Sequence, residues 1–142
     1  MDEQVANTLK SIPANPCGDA VARLKENGCR CATCLGHIEG IKALRAAATG
    51  CTTVCDYAAF LDDKLPVRVE ADGNSIVIHL GKPHCTCPVA RGLKNGILCN
   101  CTVGHEEAMW SVFFGCEVKA EIIESHLRGG KDCVVRIVVK DV

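Results

Sequence analysis

The chain has 142 residues, 48% of them apolar, which supports a packed core and excludes general disorder. Sixteen Lys and Arg against seventeen Asp and Glu leave a net charge of −1, which excludes the basic surface that nucleic-acid backbones reward. No apolar run reaches the roughly 18 residues of a membrane span, and Met1-Asp2-Glu3-Gln4 opens no secretory signal, so a cytoplasmic protein with neither nucleic acid nor membrane as partner is expected.

Residues 1–65 read as helical. A short helix over 2–11 is stopped by Pro13 and Pro16, and a second over 18–27 carries Val21 and Leu24 on one face, with Gly28 as the residue after its end. Cys34, His37, Ile41, Leu44 and Ala48 recur at alternating spacings of three and four, which predicts one helix over 31–48. A short helix over 54–62 follows. At Pro66 the period changes to two. Val67, Val69 and Ala71, then the turn Asp72-Gly73-Asn74, then Ile76, Ile78 and Leu80 predict a β-hairpin. Residues 81–101 read as loop. Thr102 is placed to cap a helix over 103–114, whose apolar face is Val103, Met109, Trp110, Phe113 and Phe114, a core stripe that needs no ligand to explain it. Strands over 116–126 and 132–139 joined at Gly129-Gly130 complete the pattern. The predicted fold is α+β, a helical N-terminal half packed on a four-stranded antiparallel sheet with an inserted helix. The two parts, 1–65 and 66–142, form one compact domain.

Twelve cysteines dominate the chemistry. In a chain without a secretory signal such a number points to metal or thiol chemistry more than to a disulfide framework. One group is Cys17, Cys29, Cys31 and Cys34, with His37 one helical turn beyond Cys34. Its spacing suits metal ligands, and equally suits small apolar side chains on a helix face. A second is Cys85-x-Cys87 and Cys99-x-Cys101, flanking eleven residues of loop. A third follows from pairing the last two strands through a two-residue turn at Gly129-Gly130. His126 then faces Cys133, and Glu124 lies on the same face. An acid and an imidazole on an apolar face need a partner or a ligand, so Glu124, His126 and Cys133 form a candidate cluster. As thiol-enzyme candidates, Cys85, Cys87 and Cys101 would act with His84 or His105 as base.

Cys99-x4-Gly104, the helix ending at Gly115, the strand over 117–126 and Gly130-Lys131-Asp132-Cys133 running into Val134-Val135-Arg136-Ile137 resemble the 4-vinyl reductase domain family over about half the chain. The resemblance implies a small-molecule-binding module of a kind often used as a sensor and often dimeric. It also implies zinc held by cysteines and a glutamate. Carried over by position, Cys99 is the first ligand and Cys133 the last. The family's middle cysteine falls at Ser125, and its glutamate near Ile122. The expected site is therefore rearranged: Cys99 or Cys101, Glu124, His126 and Cys133, with Cys85 and Cys87 alongside. An iron–sulfur cluster is the alternative cofactor. The closing strand–turn–Cys–strand pattern is also similar to the L-2-amino-thiazoline-4-carboxylic acid hydrolase-like group, which implies a thiol- or metal-dependent hydrolase acting on a small sulfur-containing molecule.

Overall fold

The structure is a computed structural model that describes residues 3, 4, 7, 18–83, 85, 87 and 96–140. Its elements are α1 (Gly18–Cys34), α2 (His37–Ala47), α3 (Val54–Lys64), β1 (Arg68–Asp72), β2 (Ser75–His79), α4 (Cys99–Phe114), β3 (Val118–Glu124) and β4 (Val134–Val139), with single 3-10 turns at Gly96–Leu98 and His126–Arg128. The four strands form one antiparallel sheet in the order β1-β2-β4-β3. The fold is α+β, as expected. No helix among the described residues is long and apolar enough to cross a membrane.

One sheet face is apolar because every second residue of each strand is. Val69, Ile76, Ile78, Val118, Ala120, Val135, Ile137 and Val139 join Ile41, Tyr57, Leu61, Val103, Trp110 and Phe113 from the helices in a single core. Tyr57 and Trp110 each meet the Phe113 ring edge-on, with centroids 5.6 and 5.4 Å away. The expected hairpin β1–β2 is present, with Val69 opposite Ile78 and Asp72 opposite Ser75. α3 starts at a reciprocal cap: Thr53 Oγ accepts from the Asp56 amide, and the Asp56 carboxylate accepts from the Thr53 amide. Both sheet edges are occupied by helix carboxylates. Asp62 on α3 accepts the Val69 amide at 2.8 Å, and Glu107 on α4 accepts the Ala120 amide at 3.1 Å. These amides would otherwise stand ready to pair with another strand.

Four sequence expectations are corrected. Gly28 does not follow the end of a helix; it lies inside α1, which continues to Cys34. The reason is a crossing. A methyl on Gly28 would stand 1.8 Å from the Cys101 carbonyl oxygen, and one on Gly104 would stand 2.0 Å from the Lys25 carbonyl oxygen, so α1 and α4 touch backbone to backbone. The helix expected over 31–48 is broken at Gly36, whose φ of 75° is left-handed, so Cys34 and His37 stand on different helices. Cys99 and Cys101 are not loop residues; they form the first turn of α4, and Thr102 lies within it. The last hairpin has no tight turn. Ile122 pairs with Val135 and Glu124 with Val134 across a bulge, which leaves His126 outside the ladder. Ser125 explains the longer connection. Its hydroxyl accepts the Leu127 amide at 3.1 Å, and its carbonyl accepts from Arg128 and Gly130, which winds 126–128 into a 3-10 turn.

The helix crossing yields a direct test. Gly104→Ala and Gly28→Ala are each expected to cost about 2 kcal/mol or more, because backbone atoms must part to admit the methyl. Gly40→Ala, inside α2 with nothing within 4 Å of the new methyl, should instead stabilise by about 0.5–1 kcal/mol. Urea unfolding of the three variants checks the order. A Gly104→Ala midpoint equal to that of the unaltered chain would mean that the helices do not cross here.

Candidate thiol-lined cavity

A cavity of about 280 Å³ lies between the C-terminal end of α1, the first half of α4 and the ends of β2, β3 and β4 that face them. Six thiols line it. Cys31 comes from α1, Cys85 and Cys87 from the segment after β2, Cys99 and Cys101 from the first turn of α4, and Cys133 from the entry to β4. Leu80, Leu98, Ile122, Leu127 and Val135 supply apolar wall, and Leu35 stands at the rim, 44% exposed. Cys31, Cys85, Cys87 and Cys101 pack against a small second core of Ala20, Leu24 and Leu98. The described lining contains no Lys or Arg, while Glu106 and Glu124 both reach it.

The bracing around the thiols is specific. Asp132 Oδ1 accepts the amides of Gly81 at 2.8 Å and Cys133 at 2.7 Å, which ties the segment leading to Cys85 to the start of β4. Glu124 accepts the amides of Lys131 at 2.9 Å and Asp132 at 2.7 Å. Its carboxylate is thus the brace of the β3–β4 connection, and a side chain on Gly130 would collide with it. Cys99 Sγ and Ser125 Oγ share a hydrogen bond of 2.9 Å, at the position where the expected middle cysteine is replaced. Asn27 Nδ2 donates to Cys101 Sγ at 3.5 Å, straight across the helix crossing.

Burial raises Cys85, Cys101 and Cys133. Burial pushes Cys101 up to about 11, with the nearby sulfurs of Cys31 and Cys87 adding to it against the opposing Asn27 hydrogen bond. Cys85 is raised by burial and then by Cys133, Cys87 and Cys99. Cys133 is raised by burial and then by Cys99, Asp132 and Glu124, while a hydrogen bond to the His126 backbone pulls it down. Cys85, Cys101 and Cys133 are therefore neutral near pH 7. They do not touch as a finished metal site: among the described residues no three His, Cys, Asp or Glu side chains form a group that would hold an ion.

The expected cluster of Glu124, His126 and Cys133 is not assembled as the tight turn required. His126 turns away, its Nε2 donating to the Lys82 carbonyl at 2.6 Å, and it does not line the cavity. In the N-terminal group only Cys31 and His37 reach the cavity. Cys29 and Cys34 are exposed, and Cys17 lies outside the described residues, as does His84. The structure also shows a pair that the sequence reading missed. His37 Nδ1 and His105 Nε2 share a hydrogen bond of 2.7 Å at the cavity wall. Beyond it, Glu106 lies 3.8 Å from His105 Nδ1 and accepts from Trp110 Nε1 at 2.6 Å. Burial and the neighbouring His105 hold His37 below the usual histidine range, against the pull of Glu106. No spacing rule joins residues 68 positions apart. The thiols of Cys31 and Cys101 did carry a signal: Gly28-x2-Cys31 and Cys101-x2-Gly104 each place a cysteine one turn from a glycine on the same helix face.

The chain belongs to the family described as "Family of unknown function (DUF6144)", which it matches over residues 5–142. No curated protein matches it. Among solved structures the fold is similar to that of a trafficking protein particle complex subunit 3 from Naegleria fowleri, crystallised covalently bound to palmitic acid. The TM-score is 0.53 at 13% identity, covering 85% of this chain and 82% of that one.

The thiol environments predict an order of reaction. With iodoacetamide at pH 8, the exposed Cys29, Cys34 and Cys55 are expected to be modified first and Cys101 last. Three units below a pKa of about 11, about one Cys101 thiol in a thousand is ionised. Its rate should rise about tenfold per pH unit up to pH 10. Peptide mass mapping at timed quenches checks this, and early labelling of Cys101 would show an activated thiolate instead.

Proposed function

We propose that this member of the DUF6144 family is a small-molecule-binding module of the 4-vinyl reductase type whose cavity carries a thiolate metal centre, with zinc as the ion. The observation that carries the reading is the convergence of six thiols, from four separate stretches of chain, on one cavity of about 280 Å³. Buried cysteines pack well as small apolar groups, but packing alone does not require six of them around a void. The donor set suits a soft ion. Two carboxylates and no described Lys or Arg around the cavity favour a cation over an anion. Cys85, Cys87, Cys99 and Cys133, which all line the cavity, are the residues that would hold the ion. When bound, such an ion ties distant segments together and polarises a ligand at any open position. Glu124 and Asp132 serve as braces, holding the β3–β4 connection and the entry to β4.

The same features weigh against a thiol hydrolase. A nucleophilic cysteine needs a lowered pKa or an adjacent base, whereas Cys85, Cys101 and Cys133 are raised. Cys99 is hydrogen-bonded to Ser125 and Cys101 to Asn27, not to an imidazole. Metal binding reverses the cost of ionisation, because a coordinated thiol is deprotonated outright. Anaerobic titration of metal-free protein with zinc should therefore release protons and protect Cys85, Cys87, Cys99 and Cys133 from alkylation. Cys99→Ser should weaken zinc binding at least tenfold, and Cys55→Ser, at an exposed thiol, should leave it unchanged. Zinc that releases no protons and protects none of these thiols would remove the metal centre.

A second reading comes from the palmitic acid held covalently by the structural neighbour. The leucine-rich wall of the cavity and its thiols suit a thioester-linked acyl chain. Intact-mass measurement before and after hydroxylamine tests it: an acyl mass lost on treatment supports it, and a single unmodified mass removes it.

A further inference from the structure

Resting on the small-molecule part of the reading above, and not on its metal, we infer that the cavity binds a primary ammonium group carried on a small apolar body, with Nε2 of His37 accepting its N–H. His37 Nδ1 and His105 Nε2 lie 2.7 Å apart, with the two rings edge to face at 86°. Two ring nitrogens so close share one hydrogen, so one donates and the other accepts. Glu106 decides which. Its Oε2 accepts from Nε1 of the buried Trp110 at 2.6 Å, which fixes the carboxylate. Its Oε1 then stands 3.8 Å from His105 Nδ1. A carboxylate favours an N–H over a lone pair in that position. In the uncharged pair, His105 thus carries its hydrogen on Nδ1 and accepts on Nε2. His37 must donate from Nδ1, which leaves its Nε2 without a hydrogen.

Both rings line the cavity, so the bare nitrogen is an acceptor that the chain brings to it. Glu106 and Glu124 reach the same cavity and no described Lys or Arg does, which gives it a negative field. An acceptor in a negative field suits an N–H donor that carries positive charge, and the same field repels a carboxylate or a phosphate. His37 is exposed, so the other N–H groups of the ammonium stay hydrated at the rim and no bare charge is buried. Leu35, Leu80, Leu98, Ile122 and Val135 offer wall for the apolar body. An apolar cavity of about 150 Å³ takes benzene, so one of about 280 Å³ takes about eleven non-hydrogen atoms. The ligand class is therefore a short alkyl or aryl amine.

Three probes with the same chain separate the charge from the body: octylamine, 1-octanol and octanoate, titrated calorimetrically into the full chain at pH 8. An alkyl amine like that of lysine is still charged there. Octylamine is expected to bind at least tenfold tighter than 1-octanol, as a hydrogen bond to a charged group allows, and octanoate weakest of the three. His37→Ala should reduce octylamine to the level of 1-octanol and leave 1-octanol unchanged. His79→Asn, on β2 and outside the cavity lining, should change none of them. Nitrogen-15 spectra of the histidine rings at pH 8 read the tautomers directly, and both His105 and His37 are expected to carry hydrogen on Nδ1. If His37→Ala does not fold, the spectra and the three probes on the unaltered chain decide. A hydrogen on His37 Nε2 overturns the inference. Equal binding of the three probes, or a preference for octylamine that survives His37→Ala, overturns it and leaves the cavity standing as a small-molecule site. Binding of none overturns both, while the zinc titration judges the metal centre separately.

Discussion

The backbone contact between Gly28 on α1 and Gly104 on α4 sets the geometry on which the rest of the site depends. Glycine inside a helix costs about 1 kcal/mol relative to alanine, so two such glycines are an expense that only close packing offsets. Each meets the other helix at a carbonyl: Gly28 at Cys101, and Gly104 at Lys25. Helices separated by side chains run about 8–10 Å apart, whereas here the two backbones leave no room for a methyl at either glycine. The consequence is chemical as well as mechanical. Cys101 is three residues before Gly104, and Cys31 three after Gly28, so the crossing that joins the helices also joins their thiols. Asn27 donates to Cys101 across the same contact. Any separation of the helices would take the donor, the thiols and the floor of the cavity apart together.

The sheet supplies the opposite wall, and its edges are closed by the helices that pack on it. Asp62 holds an amide of β1, and Glu107 an amide of β3. Blocking both edges with carboxylates discourages strand addition by another chain. It also fixes α3 and α4 along the strands, so the first turn of α4, with Cys99 and Cys101, projects past the apolar core. There the strands end in connections held by carboxylates. Asp132 spans from β4 to Gly81, and Glu124 spans the β3–β4 connection. Glu124, a candidate metal ligand from the sequence, is instead satisfied by amides, as is Asp132. An anionic acceptor with two N–H donors is well paired.

Much of the fold was legible because local patterns and tertiary packing agree there. Alternation from Val69 to Ile78 around Asp72-Gly73-Asn74 marked the hairpin, and the apolar stripe of α4 pointed inward as expected. The failures share a cause: one residue type serving two geometries. Gly28 fits the end of a helix and also a close crossing, and only the partner helix decides between them. Gly36 breaks the stripe from Cys34 to Ala48, although every apolar position in it keeps helical spacing. Gly129-Gly130 fits a tight turn, but Ser125 captures the Leu127 amide and diverts the chain into a 3-10 turn. In that turn the His126 side chain bonds the Lys82 carbonyl instead of facing the Cys133 side chain. The candidate site was legible in part. Cys85, Cys87, Cys99, Cys101 and Cys133 do meet at one cavity, whereas Cys31 and His37 reach it from a group whose other described cysteines are exposed.

The state of the thiols decides what kind of chemistry this cavity suits. A cysteine poised to attack is kept near an imidazole, a helix N-terminus or a cation, so that thiolate is present at neutral pH. Cys99 and Cys101 do occupy the first turn of α4, where the helix dipole favours negative charge. Yet burial and neighbouring sulfurs carry Cys101 to about 11 in spite of that position, so desolvation outweighs the dipole. Crowding thiols in an apolar wall makes each ionisation oppose the next, which is a poor design for a nucleophile. For a metal ion the same crowding is an advantage. Its charge replaces several protons at once, and the repulsion between thiolates becomes attraction to a common cation. On the proposed metal reading, Cys85, Cys101 and Cys133 would stay neutral until a cation arrived.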